Sequence, residues 1–391
     1  MSADRPLLFQ PMDLQSVTVP NRLVVSPMAQ YCAVDGVVGD WHLAHLGSYA
    51  KGGWGLVFAE FTAVTETGRI SNGDPGIYNA EQIKGWARVT DFIKQYGAVP
   101  AIQLAHCGRK GSAQRAWEGN GPLTAENLAN GDKSWPVMAP SALKFSDGWV
   151  EPKAMDQDDI NTLVQAFADA AKRSLDAGFE AIEIHGAHGY LIQSFLSPLA
   201  NQRNDAYGGD REGRMRFPLE VTEAIRAVWP KDKPLFFRVS SVDGIEGGWE
   251  IEDSFALAAE LKQRGVDVID CSSGGNNAKG ATNANLKRVP GYQVPFAEQI
   301  RREVDIKTMA VGLIREPDQA NQILQDGKAD LIAIGREAMY NPFWAQHAAQ
   351  HFRADDDYDM WPSQYGWWLK QWSKGIRARE AEETAAGKAA E

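Results

Sequence analysis

The chain has 391 residues, of which 44% are hydrophobic, and a net charge of −11 from 40 basic and 51 acidic side chains. This length allows either two domains or one large α/β barrel with a substantial core. The acidic balance and the lack of a long basic cluster argue against a nucleic-acid-binding surface, and no apolar run is long enough to span a bilayer. The N-terminal segment lacks the apolar stretch of a signal peptide, so we expect a cytoplasmic protein.

The cysteines argue against structural metal or disulfide chemistry. Cys32, Cys107 and Cys271 are far apart in the sequence and form no CxxC pair. This spacing suits neither a disulfide framework nor a zinc or iron–sulfur site. We therefore predict no metal and expect each cysteine to be a small buried hydrophobic residue.

Eight short β-rich runs alternate with longer amphipathic segments along the chain. The runs cover residues 22–26, 56–62, 100–104, 181–185, 235–239, 268–271, 308–311 and 331–334. Clear helical patterns cover residues 157–177, 211–229, 254–264 and 317–325. Several helices end in a glycine followed by a strand, as in AGFEAIEI, which is typical of the αβ loops of a parallel sheet.

This alternation predicts a single (β/α)₈ TIM barrel over residues 1–370. An open dinucleotide-binding sheet is less suitable because no GxGxxG follows an early strand. Residues 108–150 form a long loop insertion after strand 3, and loops of this length usually shape a site or a lid. The C-terminal segment is rich in tryptophan, which we expect to pack against other structure, and residues 371–391 are predicted to be a charged, fraying helix. The tryptophans of that segment are Trp361, Trp367, Trp368 and Trp372.

Polar residues and glycines follow the carboxyl ends of the predicted strands, where barrel active sites form. They are Ser26, Pro27 and Met28 after strand 1, Gln103 on strand 3, His185 and His188 at strand 4, Arg238 on strand 5, Gly312 after strand 7, and Gly335 and Arg336 after strand 8. Glycines after strands 7 and 8 commonly hold a phosphate, and an arginine adds charge-assisted hydrogen bonds. A ligand with a phosphate at one end is therefore expected.

The close pair His185 and His188 allows three interpretations: a metal site, a hydrogen-bonding pair, or two core histidines. A metal site lacks a third ligand at convincing spacing. A hydrogen-bonding pair needs no third ligand. Taken singly, Gln103 and Arg238 could be structural polar residues, and the glycines could serve tight turns.

In combination, the motifs at the strand ends resemble the old yellow enzyme family of FMN-dependent ene-reductases, in its bacterial thermophilic-type branch. The similarity runs from residue 8 to about residue 365. The motifs are SPMAQY at 26–31, DWHLAH at 40–45, IQLAHCGRK at 102–110, the long run IEIHGAHGYLIQSFLSPLANQRNDAYGG at 182–209, FRVS at 237–240, DCSSGG at 270–275, GYQVPFA at 291–297 and IAIGRE at 332–337.

The resemblance implies a role for each matching residue. Gln103 and Arg238 would contact the flavin pyrimidine, with the guanidinium stabilising the reduced ring. Ser26, Pro27, Met28 and Ala29 would line another flavin edge. Gly312, Gly335 and Arg336 would hold the phosphate. His185 and His188 would donate to the substrate carbonyl oxygen, and Tyr190, with Tyr31, would deliver a proton.

Four positions depart from the family pattern. Ala29 replaces a cysteine that touches the flavin, and Phe61 replaces a small residue beside it. Tyr340 stands where an arginine is common, and Trp367 stands where relatives have an arginine that reaches the neighbouring subunit. The first two bear on flavin potential, and the last bears on a shared-site dimer.

The expected function is FMN-dependent reduction of activated C=C bonds, driven by NADPH or NADH. The alternatives are a flavin enzyme for an aryl-CoA or nitro compound, a metal-free barrel lyase or isomerase acting on a phosphorylated substrate, and a non-catalytic flavin-binding protein. The expected partners are a small-molecule substrate and further copies of the chain, as a dimer or tetramer, with neither nucleic acid nor membrane.

Overall fold

Eight parallel strands form a closed barrel in which each strand pairs with its neighbour in the chain, and the eighth pairs with the first. The computed structural model of the chain describes residues 5–276 and 286–389. The barrel strands are β1 (Leu23–Val25), β2 (Leu56–Ala63), β3 (Val99–Ala105), β4 (Ala181–Gly186), β5 (Leu235–Ser240), β6 (Val268–Ser272), β7 (Lys307–Ala310) and β8 (Leu331–Ile334).

Helices connect the strands and cover the outside of the barrel. In chain order they are α1 (Asp40–Lys51), α2 (Ala80–Gln95), α3 (Ala125–Ala129), α4 (Gln157–Asp176), α5 (Leu191–Leu196), α6 (Arg211–Val228), α7 (Ile251–Gln263), α8 (Val294–Val304), α9 (Pro317–Gln325), α10 (Arg336–Tyr340), α11 (Trp344–His351) and α12 (Ser363–Ala389). Short 3₁₀ turns lie at Leu7–Phe9, Glu66–Gly68, Gly108–Lys110 and Ala116–Glu118.

The predicted barrel is confirmed, with all eight strands within two residues of their expected ends. Helix α7 begins three residues before its predicted start because Glu250 and Asp253 cap its first turn, with the Glu250 N–H donating to Asp253 Oδ2 at 3.1 Å. An antiparallel hairpin of Met12–Leu14 and Val17–Val19 was not predicted. Its apolar side chains pack into the amino-terminal end of the barrel, so the hairpin closes the bottom of the core.

Inward-pointing side chains occupy every second position of the strands and form layers inside the barrel. The lowest layer is apolar and fully buried, with Phe58, Phe236 and Leu331 among its members. The functional end lies at the opposite, carboxyl ends of the strands.

A β-bulge at Glu60 changes the direction of the side chains in β2. The register pairs Ala59 with Ile102 but Phe61 with Gln103, so Glu60 has no partner of its own in β3. An extra residue of this kind shifts the following side chains to the other face. Phe61 therefore points to the same side of the sheet as Gln103 and faces the barrel mouth.

The long insertion after β3 has some regular structure of its own. It contains helix α3, and its segment Met138–Ala139 pairs in parallel with Lys153–Ala154, just beyond the predicted end of the insertion. One of its tryptophans, Trp117, is exposed and contacts Tyr31 edge to face, with ring centroids 5.8 Å apart. The insertion thus reaches the loop that follows β1.

Helix α12 runs across the predicted domain boundary at residue 370 without a break. Trp361 stacks on Phe343, with ring centroids 5.5 Å apart. Trp367, Trp368 and Trp372 project into solvent, so within one chain the expected packing does not extend to them. The last two residues of the predicted tail lie outside the described residues.

The expectation of three buried cysteines is wrong for one of them. Cys107 and Cys271 are buried, whereas Cys32 is exposed. Cys32 lies in the loop after β1, four residues beyond the cavity-lining Met28, where the chain has left the core.

Candidate active site

A cavity opens at the carboxyl ends of the barrel strands. Its volume is about 340 Å³, and ligand pockets generally fall between about 300 and 1,000 Å³. Its walls include predicted site residues from five of the eight strand ends, namely Ser26, Pro27, Met28, His188, Arg238, Gly312, Gly335 and Arg336. The walls also include Ser272, Tyr292 and Gln293, to which the sequence analysis assigned no role.

Four buried side chains from consecutive strands form a polar layer beside this cavity. The polar layer consists of Gln103, Glu183, Arg238 and Asp270, from β3, β4, β5 and β6. Gln103 Nε2 donates to Glu183 Oε1 at 2.7 Å, and Arg238 Nε lies 3.2 Å from Asp270 Oδ2. The second carboxyl oxygen of Glu183 and both carboxyl oxygens of Asp270 have no hydrogen-bond donor among the described residues. Of these four, only Gln103 and Arg238 were predicted.

Burial dominates the electrostatics of the two acids. It raises the pKa of Glu183 well above its usual range, and the neighbouring Asp270 raises it further. Burial also raises the pKa of Asp270, against the opposing effect of the Arg238 guanidinium. A charged carboxylate is disfavoured at both positions because water cannot reach them.

His185 and His188 lie next to each other, with ring centroids 5.2 Å apart. His185 is buried, and its Nδ1 has no hydrogen-bond partner among the described residues. The pKa of each histidine falls well below its usual range, first because of burial and second because of Arg238. Both rings are therefore neutral at physiological pH and can each donate one N–H.

Contacts from three directions fix the backbone and ring of His188. Its φ is +63°, in the left-handed region that few side chains adopt. The His188 N–H donates to Ser240 Oγ at 3.0 Å, and its Nε2 lies 2.7 Å from Ser272 Oγ. A Cβ on Gly275 would come within 2.1 Å of the His188 backbone, so only glycine fits at that position.

Lys110 supplies a further contact to His188 that the sequence analysis missed. Its Nζ donates to the His188 carbonyl at 2.8 Å and to the Gly275 carbonyl at 3.4 Å. The same ammonium lies over the rings of Phe145 and Tyr190, 4.7 and 4.8 Å from their centroids. Burial, with the adjacent Arg109, lowers the pKa of Lys110 to about 7. The signal was present in the motif IQLAHCGRK, whose last residue had no assigned role.

The two predicted proton donors lie on the same side of the site. The ring centroid of Tyr190 is 5.3 Å from that of His185 and 5.0 Å from that of Phe61. Burial raises the pKa of Tyr190 well above its usual range, and Tyr31 adds to the effect. Tyr31, in the loop after β1, has its own pKa raised first by burial and then by Asp74. Both phenols therefore keep their protons at neutral pH.

The loop carrying Pro27, Met28 and Ala29 is anchored to β2 through Glu60. Glu60 accepts a hydrogen bond from the Gln30 N–H. It lies 2.9 Å from His42 Nε2, whose other ring nitrogen accepts from the Gly39 N–H at 3.3 Å. His42 therefore carries its proton on Nε2 and donates it to Glu60. Burial lowers the pKa of His42 to about 4, which keeps the ring neutral.

The glycines predicted to hold a phosphate differ in what the backbone requires. Gly312 has φ +124°, and a Cβ there would lie 3.1 Å from both Gln293 and Tyr292. Gly335 has a negative φ, and a Cβ would meet Met28 only at an ordinary distance of 3.4 Å. The geometry thus requires glycine at 312, whereas a Cβ at 335 would make only ordinary van der Waals contacts with Met28 and Ser26.

Comparison with known proteins assigns the chain to a family. Residues 7–355 match the sequence profile of the NADH:flavin oxidoreductase / NADH oxidase family. The chain is 44% identical over 346 residues, 88% of this chain and 94% of the relative, to an NADPH dehydrogenase from Geobacillus sp. (strain WCH70).

Solved structures agree with this match. Morphinone reductase superposes with a TM-score of 0.73 at 28% identity, covering 90% of this chain and 91% of that one. An old yellow enzyme homologue from Zymomonas mobilis gives a TM-score of 0.73 at 25% identity, covering 88% and 93%.

The chain belongs to the NADH:flavin oxidoreductase / NADH oxidase family. The predicted resemblance is confirmed, and the protein is an oxidoreductase with FMN as its cofactor. The family assignment decides against the lyase or isomerase interpretation.

The residues of the cavity fit an FMN molecule. Buried polar atoms without a partner among the described residues include Ser26 Oγ, on the cavity wall, and Nδ1 of His185, whose ring adjoins that of His188. Buried groups of this kind are normally hydrogen-bonded, so a polar ligand is expected to satisfy them. In this family that ligand is the flavin with its phosphate, and the cavity walls carry both donors, such as Arg238 and Arg336, and the glycines Gly312 and Gly335.

Within the described parts of the chain, no three His, Cys, Asp or Glu side chains lie close enough together to bind a metal ion. Among the same residues, no helix is long and apolar enough to cross a membrane.

Proposed function

We propose that this oxidoreductase reduces the C=C bond of α,β-unsaturated carbonyl compounds, with NADPH or NADH as the electron donor. The observation that carries the proposal is the pair of neutral histidines beside Tyr190. The ring centroids of His185 and His188 are 5.2 Å apart, and the ring centroid of Tyr190 is 5.3 Å from that of His185. Two hydrogen-bond donors and a proton donor are the groups that such a reduction requires.

Gln103 and Arg238 would hold the pyrimidine edge of FMN, with Ser26, Pro27, Met28 and Ala29 along another edge. Gly312, Gly335 and Arg336 would hold the phosphate. When bound, FMN would supply hydride-transfer chemistry between the nicotinamide and the substrate. The Arg238 guanidinium would stabilise negative charge on the reduced ring.

His185 and His188 would donate hydrogen bonds to the substrate carbonyl oxygen. Negative charge develops on that oxygen when the β-carbon is reduced, so donors fixed in advance lower the barrier. The contacts of His188 with Ser240, Ser272 and Lys110 hold it ready for this role.

Tyr190 would deliver the proton to the α-carbon. Its raised pKa keeps the phenol protonated until the substrate carbanion needs the proton. Tyr31 is near enough to raise the pKa of Tyr190. It would be a second proton donor or a contact to the substrate. Phe61, placed inward by the bulge at Glu60, would limit the space beside both.

The relatives support this proposal through their names. Curated relatives at 42–45% identity are NADPH dehydrogenases, and morphinone reductase has been solved in complex with tetrahydroNAD. No dinucleotide-binding motif is present in the sequence, so the nicotinamide would enter the same cavity as the substrate.

Purified protein tests the proposal directly. We expect FMN to be released on denaturation, to be reduced anaerobically by NADPH or NADH, and to be reoxidised by cyclohexenone with formation of cyclohexanone. The double variant His185→Ala/His188→Ala should keep its FMN and lose phenol binding. Removal of such donors typically costs about 2.7–4 kcal/mol in the barrier, roughly 10²–10³-fold in rate. Unchanged turnover of cyclohexenone by the double variant would refute the role of the histidines.

We also propose that the chain acts in the cytoplasm as a homo-oligomer. Trp367, Trp368 and Trp372 are 57–68% exposed, and Tyr340 is 87% exposed. Large exposed aromatic side chains that occur together often mark a protein contact. Light scattering of the purified protein determines the oligomeric state, and a monomer at micromolar concentration contradicts this proposal.

A further inference from the structure

The polar layer has one more acid than it has bases. Glu183 and Asp270 are completely buried, and Arg238 is 7% exposed. If both acids were ionised, the layer would hold an uncompensated negative charge directly beside the cavity. Burying an unpaired charge is costly, so a protein normally removes it by retaining a proton.

The hydrogen bonds indicate where this proton lies. Within the described residues, no N–H or O–H group donates to Glu183 Oε2 or to either carboxyl oxygen of Asp270. The two carboxyl groups lie close enough for Asp270 to raise the pKa of Glu183. A proton on either acid can occupy one of these unpaired oxygens and form a single hydrogen bond between the two carboxyl groups. The pair then bears one negative charge, which Arg238 balances.

The same contacts orient the two neighbouring residues. Gln103 donates its Nε2 to Glu183 at 2.7 Å, which leaves its Oε1 free to accept. Arg238 lies 3.2 Å from Asp270 through its Nε, which leaves the terminal nitrogens to face a ligand. The acids therefore act on any ligand of Gln103 and Arg238 without touching it.

We propose that Glu183 and Asp270 share one proton and act as a single positioning unit, whose one negative charge sets the reduction potential of the bound flavin through Gln103 and Arg238. This inference rests on the proposed placement of the flavin ring against those two residues. It adds two positioning residues to the site and gives them a joint role.

Charge counting gives a distinctive test with the variants Glu183→Gln, Asp270→Asn and the double variant. In either single variant the remaining carboxyl loses its like-charged neighbour and ionises, so the net charge of the layer stays the same. The ratio of reduced to oxidised FMN, measured at a fixed solution redox potential that a reference dye reports, should then change by less than about threefold. The double variant removes the charge and should raise the ratio by about tenfold or more, because a nearby negative charge opposes the anionic reduced ring.

Asp330→Asn is the matched control, since Asp330 is a nearly buried acid paired with Arg301 at the other end of the barrel. It should leave the ratio unchanged. Two single variants with large and additive shifts would mean two independent charges, and a double variant without a shift would mean no charge that the flavin senses. Either result overturns the proposal.

Infrared spectroscopy keeps the proposal testable if the double variant does not fold. The spectrum of the wild type minus that of each single variant should contain the C=O band of a protonated carboxyl group, because each replacement leaves the other acid ionised. The absence of this band from both difference spectra contradicts the shared proton. This measurement does not need FMN. A purified protein that binds no flavin would therefore refute the proposed function without deciding the proton count.

Discussion

The Nε2 atom of His188 and the Oγ atom of Ser272 lie 2.7 Å apart at the edge of the cavity. A neutral imidazole has one N–H, so the direction of this hydrogen bond determines which ring nitrogen carries the proton. Ser272 Oγ lies 3.5 Å from its other acceptor, Gln293 Oε1, so Nε2 is the better acceptor for the hydroxyl. A hydroxyl that donates to Nε2 leaves the proton on Nδ1, where it is available to a ligand.

Replacement of Ser272 by alanine should therefore allow either ring nitrogen of His188 to carry the proton. We expect the affinity for phenols to fall roughly five- to tenfold, since a hydrogen bond of this kind contributes about 1 kcal/mol. Phenol titration followed by flavin absorbance measures the affinity, and ¹⁵N NMR of the histidines identifies the tautomer. Ser273→Ala is the control, because Ser273 Oγ donates to Gln293 and not to His188. An unchanged tautomer in Ser272→Ala would mean that another contact fixes the ring.

Replacement of Tyr190 by phenylalanine should separate the two half-reactions. Oxidation of the reduced flavin by an enone should slow about 10²-fold or more, because proton delivery to carbon belongs to that step alone. Reduction by NADPH should be nearly unchanged. Stopped-flow absorbance measures both rates. Tyr207→Phe serves as control, since Tyr207 bonds Gln157 and Glu220 away from the site. Equal slowing of both steps would indicate that Tyr190 serves mainly in packing.

Restoration of a thiol at position 29 should change the flavin environment. Ala29 is half-buried in the loop that Glu60 anchors to β2, and a sulfur atom there is more polarisable than a methyl group. We expect Ala29→Cys to shift both the flavin potential and phenol affinity, with little change in the unfolding temperature. Ala29→Ser is the control of similar size without sulfur. Identical potentials in all three proteins would show that this position does not influence the flavin.

The buried histidines should make the protein sensitive to acid. Burial lowers the pKa of His106 from 6.5 to about 4 in the folded chain. As the pH falls from about 6.5 to 4, the unfolded chain binds a proton that the folded chain does not, so stability is lost. For His106 this loss is roughly 3 kcal/mol at pH 4 relative to pH 7. Urea denaturation at several pH values should show a shallower decline for His106→Gln.

The difference between the two proteins is the quantity to compare, because other groups titrate in the opposite direction. Burial raises the pKa of Asp74 to about 7, so its contribution to stability is present below about pH 4 and is lost as the pH rises towards 7. Parallel curves for wild type and His106→Gln would contradict the lowered pKa of His106.

The barrel and most of its mouth could be predicted because they follow from local patterns. Short apolar runs that alternate with amphipathic helices specify a parallel barrel, and its strands converge at their carboxyl ends. Residues at those ends, such as Arg238, His185 and Gly312, could be assigned to one site before any distance was known.

The missed residues are those whose role depends on register. Glu183 and Asp270 lie inside apolar strands, and only the pairing of β3 to β6 shows that they meet. The bulge at Glu60 has no glycine or proline to mark it, so the inward direction of Phe61 could not be read from AEFTAV. Lys110 reaches His188 across 78 residues of sequence, a contact that no local pattern encodes.

The polar layer also limits how this chain can be divided. Gln103 and Glu183 belong to the first four strands, whereas Arg238 and Asp270 belong to the second four. A cut between β4 and β5 would leave the first half with a core carboxyl group that has lost its proton-sharing partner and its guanidinium. Contacts at the mouth cross the same division, because Lys110 after β3 donates to the carbonyl of Gly275 after β6. The two half-barrels are therefore committed to each other, so recombination among relatives that exchanges halves would separate groups that this chain holds together.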